Sequence, residues 1–366
     1  MPHLTASVAS ALEPPIFGVC QAEREARLFP VIRALTEHHL ANCAEYRRIV
    51  EAMFPQWTVA ETAAELPFLP VGLFKRRTIK SISDSEVFKT ITSSGTTGSI
   101  PSRVHLDRTT ANRQTKALTA IMSSVLGTTR RPMLIVDTDA ILTDRSGRTA
   151  RAAGVVGLMP LGRKHAFLLD AEMRPVHDRL GQFAATHDGE PLLLFGFTFM
   201  VWQHLVCAFA GSGIDLSNAT LVHSGGWKQM EASRVDAATF KRRLHEEFGI
   251  DDVVNFYGMA EQVGSVFVEG RDGLLHASTF ADVIVRDPRT WEELPPGQVG
   301  VLQVLSAVPT SYPGHSLLTE DLGVVDTIDD PATGMGGKAF RVLGRLPKAE
   351  LRGCSDTYEL RASVRG

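Results

Sequence analysis

The chain has 366 residues, 44% hydrophobic and 22% charged, with a net charge of −3, ordinary globular values that give no reason to expect a nucleic-acid partner. Its four cysteines, at 20, 43, 207 and 354, form no CxxC pair and no zinc spacing, so a reduced, cytoplasmic protein is expected. The most apolar stretch, 192–210, approaches spanning length but is interrupted by Gly196, Gln203 and His204, so no membrane span is expected.

Residues 1–18 are small and proline-containing and read as a poorly ordered arm. From Ala22 to Phe54 apolar residues recur at helical spacing (Leu28, Ile32 and Leu35, then Tyr46, Ile49, Val50 and Met53), and Pro30 is expected to kink or split the helix. His38 and His39 are adjacent and point different ways on a helix, which argues against a metal site and for a partly exposed face. Pro67–Lys75 reads as a rigid extended connector. The basic clusters 75–77 and 241–243 read as solvated faces.

A β-like run, Glu86–Ile91, feeds Ser93-Ser94-Gly95-Thr96-Thr97-Gly98, and Asp107 can cap a helix that reaches about Leu126. Pro132–Asp137 reads as a buried strand, 138–165 as long loops, and the region around 172–186 as helical. Strands are predicted at Leu192–Phe195, before a Gly196–Phe199 turn, at Ala219–His223, running into Ser224–Lys228, and at 252–256, running into Tyr257–Gln262. A helix over about 230–248 should end at Gly249. Beyond 280, Ala281–Arg286 and Val299–Leu305 read as strands joined through a Pro295-Pro296-Gly297 turn.

The expected fold is α/β, with mostly parallel sheets flanked by helices and a β-rich subdomain. The expected domains are an N-terminal arm and helical region (1–85), a core (86–280), the β-rich subdomain (281–343) and a hinge-like tail (344–366). Ser93–Gly98, Gly196–Thr198, Ser224–Lys228 and Tyr257–Glu261 each follow a predicted strand, where such sheets bind ligands, and this points to one cleft. By composition alone Ser93–Gly98 is a Ser/Thr/Gly loop. Its glycines allow tight turns and its N–H and O–H groups suit an anion, but it lacks the Gly-Lys-Ser/Thr ending of a Walker loop.

Four segments in order carry a resemblance. Ser93–Gly98 resembles the phosphate loop of the acyl-adenylate-forming superfamily, Tyr257-Gly258-Met259-Ala260-Glu261 its Tyr-Gly-x-Thr-Glu segment, Leu318–Gly323 its Thr-Gly-Asp segment, and Gly344-Arg345 its hinge. Within it, His223–Lys228 and Arg352-Gly353-Cys354-Ser355 are similar to the acyl-protein synthetases, the fatty-acid-activating subunits of the luciferase-associated fatty acid reductase. Ala260 stands where Thr is usual and Glu320 where Gly is usual.

The resemblance implies the large N-terminal domain of that fold, with the C-terminal lid domain absent. It implies activation of a fatty or aryl acid to acyl-AMP with ATP and Mg2+, and then transfer to a thiol. The acceptor would be Cys354, a partner acyl reductase, a carrier-protein pantetheine or CoA. Ser93, Ser94, Gly95, Thr96, Thr97 and Gly98 would cradle the phosphates, and Glu261 would hold the magnesium. Gly225, Gly226, Tyr257 and Gly258 would meet the adenine, Asp321 would accept hydrogen bonds from the ribose hydroxyls, and Arg345 would hold the ribose or a phosphate. Lys228, Arg103 and Lys348 are candidate replacements for a lid lysine. Phe197, Thr198, Phe199, Trp202 and Trp227 suit the lining of an apolar acid pocket and equally suit plain core. A different reading is a non-catalytic nucleotide-binding scaffold in a biosynthetic complex.

Overall fold

A computed structural model describes residues 8, 10–93, 100–143, 149–227 and 233–346. Ser94–Gly98, Lys228, Lys348, Arg352 and Cys354 lie outside the described residues. The backbone divides into two compact units, one built from residues 1–121 and 259–366, the other from 122–258.

The first unit opens with helices α1 (Gln21–Asn42) and α2 (Ala44–Met53). Pro30 sits inside α1 without ending it. An interior proline costs about 3 kcal/mol, but Leu28, Val31, Ile32 and Leu35 are buried along one face, at about 1.5–3 kcal/mol each. Packing outweighs the lost hydrogen bond. The break comes instead at Cys43, whose backbone is extended and whose Sγ accepts the Tyr46 N–H at 3.4 Å.

His39 is also not on an exposed face. It is fully buried, its Nδ1 hydrogen-bonded to the Ser81 hydroxyl at 2.8 Å, with the His315 ring stacked 4.9 Å away. His315 Nε2 in turn meets Thr36 Oγ1 at 3.0 Å. Burial lowers both imidazole pKa values, that of His315 to about 3. Among the described cysteines, Cys43 is buried, whereas Cys20 and Cys207, which the sequence reads as buried small hydrophobes, are exposed.

The Pro67–Lys75 segment is more than a connector. Strand β1 (Leu69–Pro70) leads to the one-turn helix α3 (Leu73–Arg76). Strands β2 (Lys89–Thr92) and β3 (Arg103–Leu106) then form an antiparallel hairpin. Helix α4 (Arg108–Leu126) follows, and the Asp107 carboxylate accepts the Thr110 N–H at 2.7 Å as its cap.

The second unit carries β4 (Arg131–Thr138), α5 (Ala140–Thr143), α6 (Ala150–Leu158), β5 (Gly162–Leu169), α7 (His177–Thr186), β6 (Leu192–Phe197), α8 (Thr198–Val201), β7 (Ala219–Ser224), α9 (Ala237–Phe248) and β8 (Asp252–Tyr257). All five strands are parallel, in the order β5-β4-β6-β7-β8. The stretch 138–165 is therefore not mainly loop. It holds α6 and the start of β5, which is partly exposed from Arg163 to Phe167 and lacks the apolar run that betrays β4 and β6. The predicted Gly196–Phe199 turn is likewise absent. β6 runs through Phe197, and α8 passes directly into a π-helix over Trp202–Cys207. Asp236 caps α9, and Gly249 ends it in a left-handed conformation. The core is built from β4, β6 and β7 side chains against Leu180, Phe183, Leu205, Phe240, Leu244 and Phe248.

Back in the first unit come β9 (Phe267–Glu269), β10 (Leu275–His276), β11 (Ala281–Arg286), β12 (Gly300–Ser306), β13 (Ser316–Ile328) and β14 (Lys338–Arg345). They form antiparallel neighbours in the order β11-β12-β13-β14-β10-β9, and β1 adds to β13 in parallel. No helix among the described residues is long and apolar enough to cross a membrane.

Candidate functional site

The first unit gathers a charged group. Glu261 sits on a short 3₁₀ turn, Ala260–Gln262, and is only 6% exposed. The turn is held from three sides. The Tyr312 hydroxyl donates to the Glu261 carbonyl at 2.9 Å, and the Gln262 amide donates to the Gly314 carbonyl at 2.9 Å. Gly264 adopts φ +94°, where a Cβ would come within 2.7 Å of the Gln114 Cα. Burial raises the pKa of the Glu261 carboxyl, and the Ser102 hydroxyl and the Lys75 ammonium pull it back down.

Asp321 lies on β13 in register with Arg345 on β14, and Arg345 Nε stands 3.8 Å from its carboxylate. Its own N–H is fixed by Thr319 Oγ1 at 3.1 Å. Arg345 also reaches Glu320, at 3.9 Å, and is itself 69% exposed. Lys75, read from the sequence as part of a solvated face, is instead bound to both Glu320 oxygens at 2.7 and 2.9 Å. Sequence reasoning missed Lys75, Ser102 and Tyr312. The one signal for Lys75 was indirect, the unusual acidic residue at 320. Ser93 closes the β2–β3 hairpin, its Oγ accepting the Ser102 N–H at 2.9 Å, which places the start of the Ser/Thr/Gly loop beside Ser102.

The second unit gathers aromatic residues. Trp202 and Trp227 meet edge-on with ring centroids 5.6 Å apart, and Trp202 also stacks on Phe240 at 6.1 Å. Thr198 Oγ1 is hydrogen-bonded to His223 Nδ1 at 2.9 Å. His223 is buried against the Phe240 ring at 4.7 Å, and burial, with Lys241 nearby, depresses its pKa to about 3. Gly225, with φ +83°, packs close to Phe197, where a Cβ would lie 3.3 Å from the ring. Gly226 faces open space, and Tyr257 and Gly258 follow at the end of β8.

The order of strands reverses at β4, so β4 and β6 flank the sheet's topological switch point. Their carboxyl ends carry Phe197 and Thr198 and a residue the sequence reading passed over, Asp137. Asp137 is 1% exposed and accepts from Arg151 at 2.9 Å. Burial raises its pKa and Arg151 opposes the rise.

The sequence profile described as LuxE acyl-protein synthetase matches residues 17–361. A long-chain-fatty-acid–luciferin-component ligase of Vibrio harveyi is 25% identical over 89% of this chain and 85% of its own length. The ligase of the same name from Aliivibrio fischeri is 24% identical over 80% of this chain and 78% of its own. Among solved structures, an open conformation of a 2-hydroxyisobutyryl-CoA ligase, in complex with 2-HIB-AMP and CoA, superposes with a TM-score of 0.69 at 20% identity, over 90% of this chain and 76% of that one, a likeness of fold. The chain belongs to the LuxE acyl-protein synthetase family, adenylate-forming ligases that use ATP to activate a carboxylic acid as acyl-AMP and pass the acyl group to a thiol.

Proposed function

We propose that this chain activates a long-chain fatty acid with ATP and Mg2+, and that the receiving thiol is a protein cysteine, Cys354 of the chain itself or one on a partner. A carboxylate oxygen of the acid attacks the α-phosphorus of ATP, the bond to the β-phosphate oxygen breaks, and acyl-AMP and pyrophosphate result. A thiolate then attacks the acyl carbonyl, AMP leaves, and a thioester forms. In the first step the protein aligns groups and neutralises charge rather than forming bonds.

The observation that carries this reading is the placement of Glu261, Asp321 and Arg345 in one compact unit. Asp321, with its backbone fixed by Thr319, accepts the ribose hydroxyls, and exposed Arg345 steadies Asp321 or a phosphate. The residues fit a magnesium ion, because Glu261 is a desolvated carboxylate of the kind a hard cation takes as an oxygen ligand. Magnesium, when bound, supplies charge neutralisation on the phosphates. Ser93 to Gly98 form the phosphate cradle, and Lys228 is a further cation for it. In the second unit, Gly225, Gly226, Tyr257 and Gly258 serve the adenine. Phe197, Thr198, Trp202 and Trp227 serve the acid, for which their clustering with Phe240 provides apolar surface.

The test is ATP–pyrophosphate exchange across a panel of acids of increasing chain length, with candidate thiol proteins supplied. Exchange that depends on a long-chain acid is expected. No exchange with any acid would leave only the nucleotide-binding scaffold. Labelled acid should give a hydroxylamine-labile adduct on Cys354 that is lost in Cys354→Ala. A label retained in that variant would place the acyl group on another thiol.

A further inference from the structure

Lys75 reaches Glu320 through a specific piece of architecture. β1 pairs in parallel with β13 at Leu69↔Leu317 and Pro70↔Leu318, and the Val71 N–H donates to the Leu318 carbonyl at 2.9 Å. That docking holds the one-turn helix α3 against the segment that carries Glu320 and Asp321. Lys75 Nζ then binds both Glu320 oxygens, at 2.7 and 2.9 Å. Glu320 also faces Arg345, the partner of Asp321, and Lys75 and Glu320 both act electrostatically on Glu261.

We propose that Lys75 is a phosphate-binding residue of the nucleotide site, its ammonium resting on Glu320 in the free protein and moving to a phosphate oxygen when ATP binds. The inference rests on the adenylation reading above and adds to it a residue and a partner exchange. Three arguments carry it. Among the described residues named above, three carboxylates, Glu261, Glu320 and Asp321, stand with two cations, Lys75 and Arg345. Without Lys75 this group would repel a polyphosphate strongly. The pair is not sealed, with side chains 29% and 19% exposed, so its ammonium remains in reach of water and of a further partner. Lysine is also suited to such an exchange, as a compact point charge with three donors on a flexible stem. Glu320, the acidic residue where the related segment has glycine, acquires a role as the resting place of the lysine.

The experiment compares ATP and adenosine binding by titration calorimetry at fixed Mg2+, without acid, in the wild type, Lys75→Met, Lys75→Arg and Glu320→Gln. Lys75→Met is expected to weaken ATP at least about tenfold while adenosine, which has no phosphates, changes less than about twofold. Lys75→Arg should recover most of the ATP affinity, and Glu320→Gln should leave it unchanged or tighter. Equal weakening of ATP and adenosine in Lys75→Met would make the lysine merely structural and overturn the proposal. So would unchanged ATP affinity, or a loss in Glu320→Gln as large as in Lys75→Met. A wild type that neither binds ATP nor exchanges pyrophosphate would remove the adenylation reading itself, a failure distinguishable from that of Lys75 alone.

Discussion

The two compact units solve different physical problems. In the first, charged side chains stand close together and remain partly wet: Arg345 is largely exposed, and Lys75, Glu320 and Asp321 are half-buried, with only Glu261 withdrawn from water. In the second, ring packs on ring, and His223, the polar group against the Phe240 ring, is buried. The contrast matches what each side of an acid–ATP reaction requires. A polyphosphate needs cations that can exchange partners, and a hydrocarbon chain needs apolar surface removed from water.

Changes in the charged group should act on nucleotide chemistry with little effect on acid preference. The largest effect is expected for Glu261→Gln, with pyrophosphate exchange falling about 100-fold, a loss of about 2.7 kcal/mol in transition-state stabilisation. Exchange at the wild-type rate in that variant would remove Glu261 from the chemistry.

The aromatic group should behave in the opposite way. Trp202 is partly buried and packs on Trp227 and Phe240. Trp202→Leu should change kcat/KM for the favoured acid by about tenfold, as the loss of apolar pocket contacts does, and shift the preferred chain length, while the KM for ATP stays put. An ATP effect as large as the acid effect would break the contrast drawn between the charged group and the aromatic group.

A smaller effect, visible in stability rather than activity, follows from the buried imidazoles. His39 and His315 in the first unit and His223 in the second are held neutral by burial, with folded pKa values below the unfolded value of about 6.5. The unfolded chain therefore binds more protons below that pH. Their stabilising contribution is complete above about pH 6.5 and is lost as the pH falls toward the folded pKa, about 3 for His315 and His223. Each titrating imidazole contributes a slope of about 1.4 kcal/mol per pH unit within that window. Chemical denaturation between pH 6.5 and 4.5 should show that the double variant His39→Phe/His315→Phe removes more acid sensitivity than His223→Phe. Equal effects would mean that one of the stacked pair is already protonated in the folded protein.

Some of this was readable in the chain and some was not. Asp107 as a helix cap, Gly249 as a helix end, and the apolar runs of β4, β6 and β7 all depend on residues within a few positions of one another, and all are present. The four ordered segments that suggested an adenylating enzyme are also local patterns, and the family match spans them. The misreadings have a common cause. Pro30 does not split the helix, because its buried face holds it together. β5 was hidden because it is partly exposed from Arg163 to Phe167.

The sequence by itself determined the fold family, the parallel core and the identity of the segments that suggest nucleotide chemistry, because periodicity, capping and motif spacing are short-range properties. Only the tertiary structure decided which side chains stand together. Lys75 and Glu320 are 245 positions apart, and Thr36 and His315 are 279 apart. Those pairings depend on where β1 docks along β13 and where α1 packs, and no local pattern records either. The physical reason is that a charge or a buried imidazole acquires its chemistry from its dielectric surroundings and nearest partners, which the folded chain alone supplies.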